Sequence, residues 1–308
     1  MNKIKILGKV FKGAFSGFFD DNAIKLSASL SYYTIFSIAP MLIIIISLAG
    51  IFFGAEAVEG RIYSQINGLV GSTAAVQIQD IIKNVRKSQD SHGGAVLGAI
   101  LLFIGASGVF TEIQDSINYI WSVKAKPKKG WLKLILNRLL SFSLIATFGF
   151  LLMVSLLVNA VMDAVSDRLK IYFPHITVYL FYVLNVVFIF LIIAFLFAVI
   201  FKVLPDAKIK WKDAFFGAFF TAFLFMVGKF LISFYLGSSN LGATYGAAAA
   251  VILIMLWVYY SSIILFFGAE FTKVYATTYG GRIKPTDTAV FIVKSEKKEI
   301  DLTPATGK

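Results

Sequence analysis

Charged residues fall along this chain in clusters. Between them lie apolar runs longer than a helix of an ordinary globular core needs. Leu26–Ala55 passes without Asp, Glu, Lys or Arg for 30 residues, Gly93–Thr111 for 19, Leu139–Met162 for 24 and Ile171–Phe201 for 31. Ala214–Leu236 is broken only by Lys229, and Phe230–Ala269 is uncharged for 40 residues. A bilayer core about 30 Å thick is crossed by roughly 20 helical residues. The pattern predicts an all-α, polytopic membrane protein with six transmembrane helices. The spans fall at about 35–53, 94–111, 139–162, 177–201, 214–236 and 246–268.

The segments outside the spans have their own periodicity. Ile4, Leu7, Phe11, Phe15 and Phe18 share one helical face, with Lys5, Lys9, Lys12, Ser16 and Asp20 opposite. Residues 1–22 therefore read as an interfacial amphipathic helix at the headgroups. The plainer alternative is a helix packed on the inner ends of the spans. Lysines interrupt Met1–Asp20, so no cleavable signal peptide is expected there. Between the first two spans, Val58, Ile62, Ile66 and Leu69 recur at helical spacing. Ser72 can cap a second helix with the stripe Ala75, Ile78, Ile82 and Val85. The expectation is an external helical hairpin. Residues 23–279 form the six-span domain. Gly280-Gly281 and Pro285 then break the helix, and 280–308 reads as a cytoplasmic tail, partly disordered.

Composition agrees with that pattern. Residues of the class AVILMFWYC make up 58%, charged residues 15%, and the mean hydropathy is +0.80. Soluble chains run near 45–50% apolar and about 25% charged. The 22 Lys and Arg of the N-terminal segment, the second-to-third and fourth-to-fifth connections and the tail face only 6 on the other side. The positive-inside rule then puts both termini in the cytoplasm. The net charge of +12 is explained by that bias, and no nucleic-acid partner is expected. With Cys 0, thiol chemistry and disulfides are excluded.

Candidate chemistry lies on the helix faces. In the first span Ser29, Tyr33, Ser37 and Pro40 form a polar stripe, with Ser27, Ser31 and Thr34 beside it. Such hydroxyls either line a cavity that admits a headgroup or bond helix to helix, since lipid offers no partner. Pro40 should kink that helix. Small residues Gly94, Gly98, Gly105 and Gly108 follow one side of the second span. They lead to Glu112 and Asp115, which with Glu270 are candidate charges of an inner mouth. Glu270 at a helix C-terminus needs a compensating cation such as Lys273. Lys229 is the one charge well inside a span, either a binding group for an anionic headgroup or a snorkelling side chain.

Enzyme signals are absent. Gly228-Lys229 lacks the spacing of a phosphate-binding loop, and no metal-ligand pattern occurs. The chain is therefore read as non-enzymatic, with no catalytic residues, no metal and no cofactor. A nuclease would have to gather Glu112, Asp115, Asp206, Asp213 and Glu270, which read instead as cap and loop charges.

The chain resembles the YihY/BrkB family of bacterial inner-membrane proteins over about Ala23–Tyr275. The resemblance is carried by Leu26 to Pro40 (LSASLSYYTIFSIAP), Ser116–Trp121 (SINYIW), Leu204-Pro205 and Trp211…Gly217. Tyr245-Gly246, Leu256–Ser262 (LWVYYSS) and Gly268-Ala269-Glu270 continue it. It implies a six-span fold with cytoplasmic termini in the inner membrane. Members have carried ribonuclease-like and virulence or serum-resistance labels. Lipid transport is the function that best joins the resemblance to the residues, with membrane lipids and anionic headgroups at the cytoplasmic face as partners. A non-transporting envelope scaffold is the alternative, and a membrane-bound ribonuclease the remote one.

Overall fold

The computed structural model describes residues 3–37, 79, 108–126, 174–238 and 249–294. The described chain is mostly helical. Helix α1 spans Lys3–Asp20, α2 covers 23–37 and α3 covers 108–120. The long helices are α4 (Pro174–Val203), α5 (Trp211–Ser238) and α6 (Ala249–Thr278). Each long helix carries a segment long and apolar enough to cross a membrane: Val183–Val203, Trp211–Ile232 and Ile254–Thr278. These are the fourth, fifth and sixth expected spans, the last running on past Gly268. The expected span 139–162, the hairpin within 55–92, Pro40 and residues 295–308 lie outside the described residues, as do most of the first two spans.

Local chemistry sets the helix ends. Asn22, Ser122 and Arg282 take φ of 51°, 56° and 62°, the left-handed turn that ends a helix. At Asn22 it turns α1 back into α2, and the Asn22 carbonyl accepts the amides of Lys25 and Leu26. Pro174 opens α4, where its missing N–H is no loss. Asp213 lies in the first turn of α5, favourably placed for the helix dipole.

The all-α expectation needs one correction. Two short antiparallel ladders are present: β1 (Val123–Ala125) pairs with β4 (Ala289–Phe291), and β2 (Ala207–Lys208) with β3 (Lys284–Pro285). The segment after α6 thus returns across the end of the bundle, and its backbone bonds both connecting loops. A strand of two or three residues has too short a pattern to be read alone, because a partner far away in sequence creates it.

The buried core sits at this same end. Ile117 and Ile120 of α3, Phe201 of α4 and Phe266 of α6 are fully enclosed, with Leu204 just beyond α4. Helices α5 and α6 meet through interlocked small residues. A Cβ on Gly217 would lie 2.8 Å from Thr272 Cβ, and one on Gly268 would lie 2.7 Å from Thr221 Cγ2. Towards the other end, Tyr179 and Leu184 of α4 and Phe223, Phe230 and Leu231 of α5 are exposed. In water such a surface would aggregate; against acyl chains it is the expected exterior.

Candidate functional site

The polar groups gather where α1, α3, α6 and the returning segment meet. Helix α1 passes α6 in the opposite sense: Gly13 faces Val274, and a Cβ on Gly17 would lie 2.8 Å from Glu270 Oε2. Two glycines four residues apart let the backbones approach. The buried face of α1 is Val10, Ala14 and Phe18, while Leu7, Phe11, Phe15 and Phe19 are exposed. The stripe read from the sequence is thus divided between a protein-facing edge and an open one.

Glu270 is fully buried at that crossing. Lys273 Nζ lies 3.2 Å from its Oε2 and 3.0 Å from Asp21 Oδ2. Lys294, at the end of the returning segment, reaches Asp21 Oδ1 at 2.6 Å and lies 3.9 Å over the Tyr119 ring of α3. Asp21 is also hydrogen-bonded to Glu270. Burial pushes the Asp21 carboxyl up, but the bonds from Glu270, Lys294 and Lys273 outweigh it and hold Asp21 below the ordinary value. Asp21 thus meets two lysines, and Glu270 shares one of them. The cluster ties the two ends of the described chain to α6 and, through Tyr119, to α3.

Of the expected inner-mouth charges, Glu112 is half-buried and Asp115 exposed on α3. Among the described residues Glu270 meets Lys273 and Asp21 instead. Sequence reading missed Asp21 and Lys294. The run Asp20-Asp21-Asn22 signals a helix end, but nothing local indicates that Asp21 binds cations more than 250 positions away.

A second polar joint lies beside the first. Asn118 donates to Asp206 Oδ2 at 2.8 Å, and the Asp206 amide donates back to Asn118 Oδ1 at 2.8 Å. Gln114 reaches the same carboxylate at 3.4 Å. Trp121 Nε1 donates to the Ala269 carbonyl at 3.0 Å, next to Glu270. The Gly281 amide donates to the buried Asp213 at 2.7 Å. Asp206 and Asp213 are thus each committed to holding this end together.

The hydroxyl row beside the first-span stripe is satisfied within its own helix. Ser27, Ser31 and Thr34 donate to the carbonyls of Ala23, Ala28 and Leu30. In the stripe, Ser29 is half-buried, Tyr33 is exposed and Ser37 is buried. Ser37 Oγ and Tyr33 Cδ1 lie 3.5 and 3.9 Å from where a Cβ on Gly108 would stand. This part of the stripe packs α2 on α3.

Lys229 lies on α5, half-buried, three residues before the apolar segment ends at Ile232. Among the described residues it has no hydrogen bond or ion pair. Its neighbour Gly228 packs on α6, where a Cβ would meet Tyr260 Cε1 at 2.7 Å. The structure brings Lys229 close to neither Glu270 nor the hydroxyl stripe through any described bond. Also among the described residues, no group of three or more His, Asp or Glu stands where it could hold a metal.

Comparison with known proteins follows the same regions. A family model described as Virulence factor BrkB matches residues 14–290. A UPF0761 membrane protein of Vibrio vulnificus is 28% identical over 254 residues, 79% of this chain and 74% of its own length. Proteins of the same description are 26% identical in Pseudoalteromonas atlantica, covering 80% and 78%, and 26% identical in Vibrio atlanticus, covering 88% and 82%. No solved structure matches.

Proposed function

The chain belongs to the BrkB family of membrane proteins, and from that premise we propose that it is a bacterial inner-membrane protein that binds or moves a lipid or other anionic amphiphile. The observation that carries this reading is Lys229. It is a cation without a described counter-ion, on a helix whose neighbouring side chains Val227, Phe230 and Leu231 are exposed apolar groups. An ionisable group at membrane depth is costly, about 2.5–3.5 kcal/mol at a helix centre and less nearer the interface. A phosphate headgroup would supply the missing charge, and the apolar flank would receive the chains. The reading is non-enzymatic: the lipid changes place and no bond breaks.

Six spans with both termini in the cytoplasm are part of this proposal. The ladders β1–β4 and β2–β3 support it, because they bring the second-to-third connection, the fourth-to-fifth connection and the tail to one end. Helix α1 joins them there through Asp21 and Lys294. These four segments carry the 22 Lys and Arg of the cationic side.

The test is translocation of labelled phospholipid in liposomes holding the purified protein. Wild type is expected to raise the rate over empty liposomes. Lys229→Met, which keeps an unbranched stem, is expected to remain folded and lose the gain. Lys229→Arg should keep part of it. Full transport by a folded Lys229→Met protein rejects this residue as the headgroup site. No transport by the wild type favours the envelope scaffold.

A further inference from the structure

The β2–β3 ladder sets cations against cations. Its register opposes Lys208 to Lys284 directly. Continued by one residue, the same register opposes Ile209 to Ile283, and Arg282, at φ 62°, is the turn residue just before it. Burial follows that continuation: Ala207, Ile209 and Ile283 are buried, and Lys208, Lys210, Arg282 and Lys284 are exposed. Residues two apart in extended chain share a face, so Lys208 and Lys210 stand on the outer face with Lys284, and Arg282 is exposed at the turn that leads into the ribbon. At Gly281 a Cβ would lie 2.8 Å from Lys210 Cγ, so the lysine stem runs across this turn.

Like charges directly opposite on a ladder are destabilising. Insertion of the flanking helices requires cations in these loops, but it does not require them to face each other. Among the described residues one carboxylate answers them: Asp287 lies 2.9 Å from Lys208, with both side chains mostly in water, where such a pair is worth little. Asp213 is buried and occupied by the Gly281 amide. Arg282 holds a left-handed backbone at φ 62° that a glycine would take more easily.

The depth of the ribbon identifies what the cations meet. Lys210 immediately precedes the apolar segment that begins at Trp211, and Arg282 follows the one that ends at Thr278. Trp211 is exposed beside Lys202, whose ammonium lies 5.8 Å from its ring centroid. An exposed Trp at a span end marks headgroup level.

We propose that Lys208, Lys210, Arg282 and Lys284 form a binding site for the phosphate of an anionic lipid headgroup, completed only when the returning segment pairs with the loop before α5. This rests on the proposed function in placing the ribbon at an anionic leaflet, and it names a headgroup site apart from Lys229.

The full-length protein is reconstituted in nanodiscs of phosphatidylcholine alone, or of phosphatidylcholine and phosphatidylglycerol in equal parts. Lipid retained in detergent is read by native mass spectrometry, and melting is followed in the same discs. Wild type is expected to retain phosphatidylglycerol preferentially. Lys210→Gln with Arg282→Gln should lower that preference by about fivefold for each cation removed. Lys284→Gln should raise Tm in phosphatidylcholine discs, where the repulsion is unanswered, and not in phosphatidylglycerol discs. Equal preference in wild type and the folded double variant overturns the site. Displacement of phosphatidylglycerol by inorganic phosphate reassigns it to a soluble anion, and tighter binding of a single-stranded RNA reassigns it to nucleic acid. Lys229→Met separates the two proposals. Preference lost there and kept in the double variant overturns the ribbon site and leaves the proposed function standing.

Discussion

Thr272 fills the space that a side chain on Gly217 would need, and four residues along each helix Thr221 does the same over Gly268. Each threonine hydroxyl donates to the carbonyl of the glycine on its own helix, at 2.7 Å in both cases. The hydroxyls are therefore satisfied internally, and what crosses between α5 and α6 is shape. In lipid that is the main source of helix association, because no apolar surface is removed from water.

Gly268→Ala and Gly217→Ala are each expected to destabilise the protein by about 1–3 kcal/mol through overpacking. Gly268→Ala combined with Thr221→Ala should recover much of that loss, since the two share one space. Unfolding in detergent, followed by helical circular dichroism, checks both. Additive losses in the double variant would contradict the interlock.

Glu270→Gln should cost less than Asp21→Asn, because Glu270 meets one lysine and Asp21 meets two. Asp21→Asn should cost about 3 kcal/mol by leaving Lys273 and Lys294 without their shared carboxylate, near the lower end for a buried pair because both lysines keep some water. The same unfolding measurement distinguishes them. Equal losses would contradict Asp21 as the centre of the cluster.

Acid should loosen the contact between α1 and α6. The pKa of Asp21 is lowered in the folded protein relative to the ordinary 3.8. Its contribution is therefore complete above that value and fades as pH falls through the folded-state pKa. Melting in detergent, followed by helical circular dichroism, reads this contribution directly. Wild type should lose stability below about pH 4, and Asp21→Asn should be destabilised at neutral pH and change little over the same range.

Reporter fusions after Ala125, Asp206 and Lys294 should report cytoplasm, and fusions near Gln89 and Ser238 the exterior. A cytoplasmic report at Gln89 would remove one of the first two spans.

The long helices were legible because membrane insertion demands charge-free runs, and α4, α5 and α6 lie where those runs predict. The two carboxylate joints were not. Asn118 with Asp206, and Asp21 with Lys273 and Lys294, join positions far apart in the chain, and single residues carry no period. The β2–β3 ribbon lay between these cases. Ala207-Lys208-Ile209-Lys210 and Arg282-Ile283-Lys284 alternate as half-buried strands should. The runs are too short to stand out, and their lysines already had an explanation in the topology. Lys229 was visible at once as a charge out of place. It is half-buried and has no hydrogen bond or ion pair among the described residues, and none of the other candidates stands at its side.

The returning segment also imposes an order in time. Strand β4 closes on β1 only after more than 160 further residues have been translated, and Lys294 reaches Asp21 later still. Throughout synthesis, then, both loop strands wait with open edges and Asp21 lacks one of its two cations. Such long-range closure is slow. A chain stopped just after Thr278 would hold its long apolar helices yet leave that end unfastened, an opening for proteases where α1 meets α6.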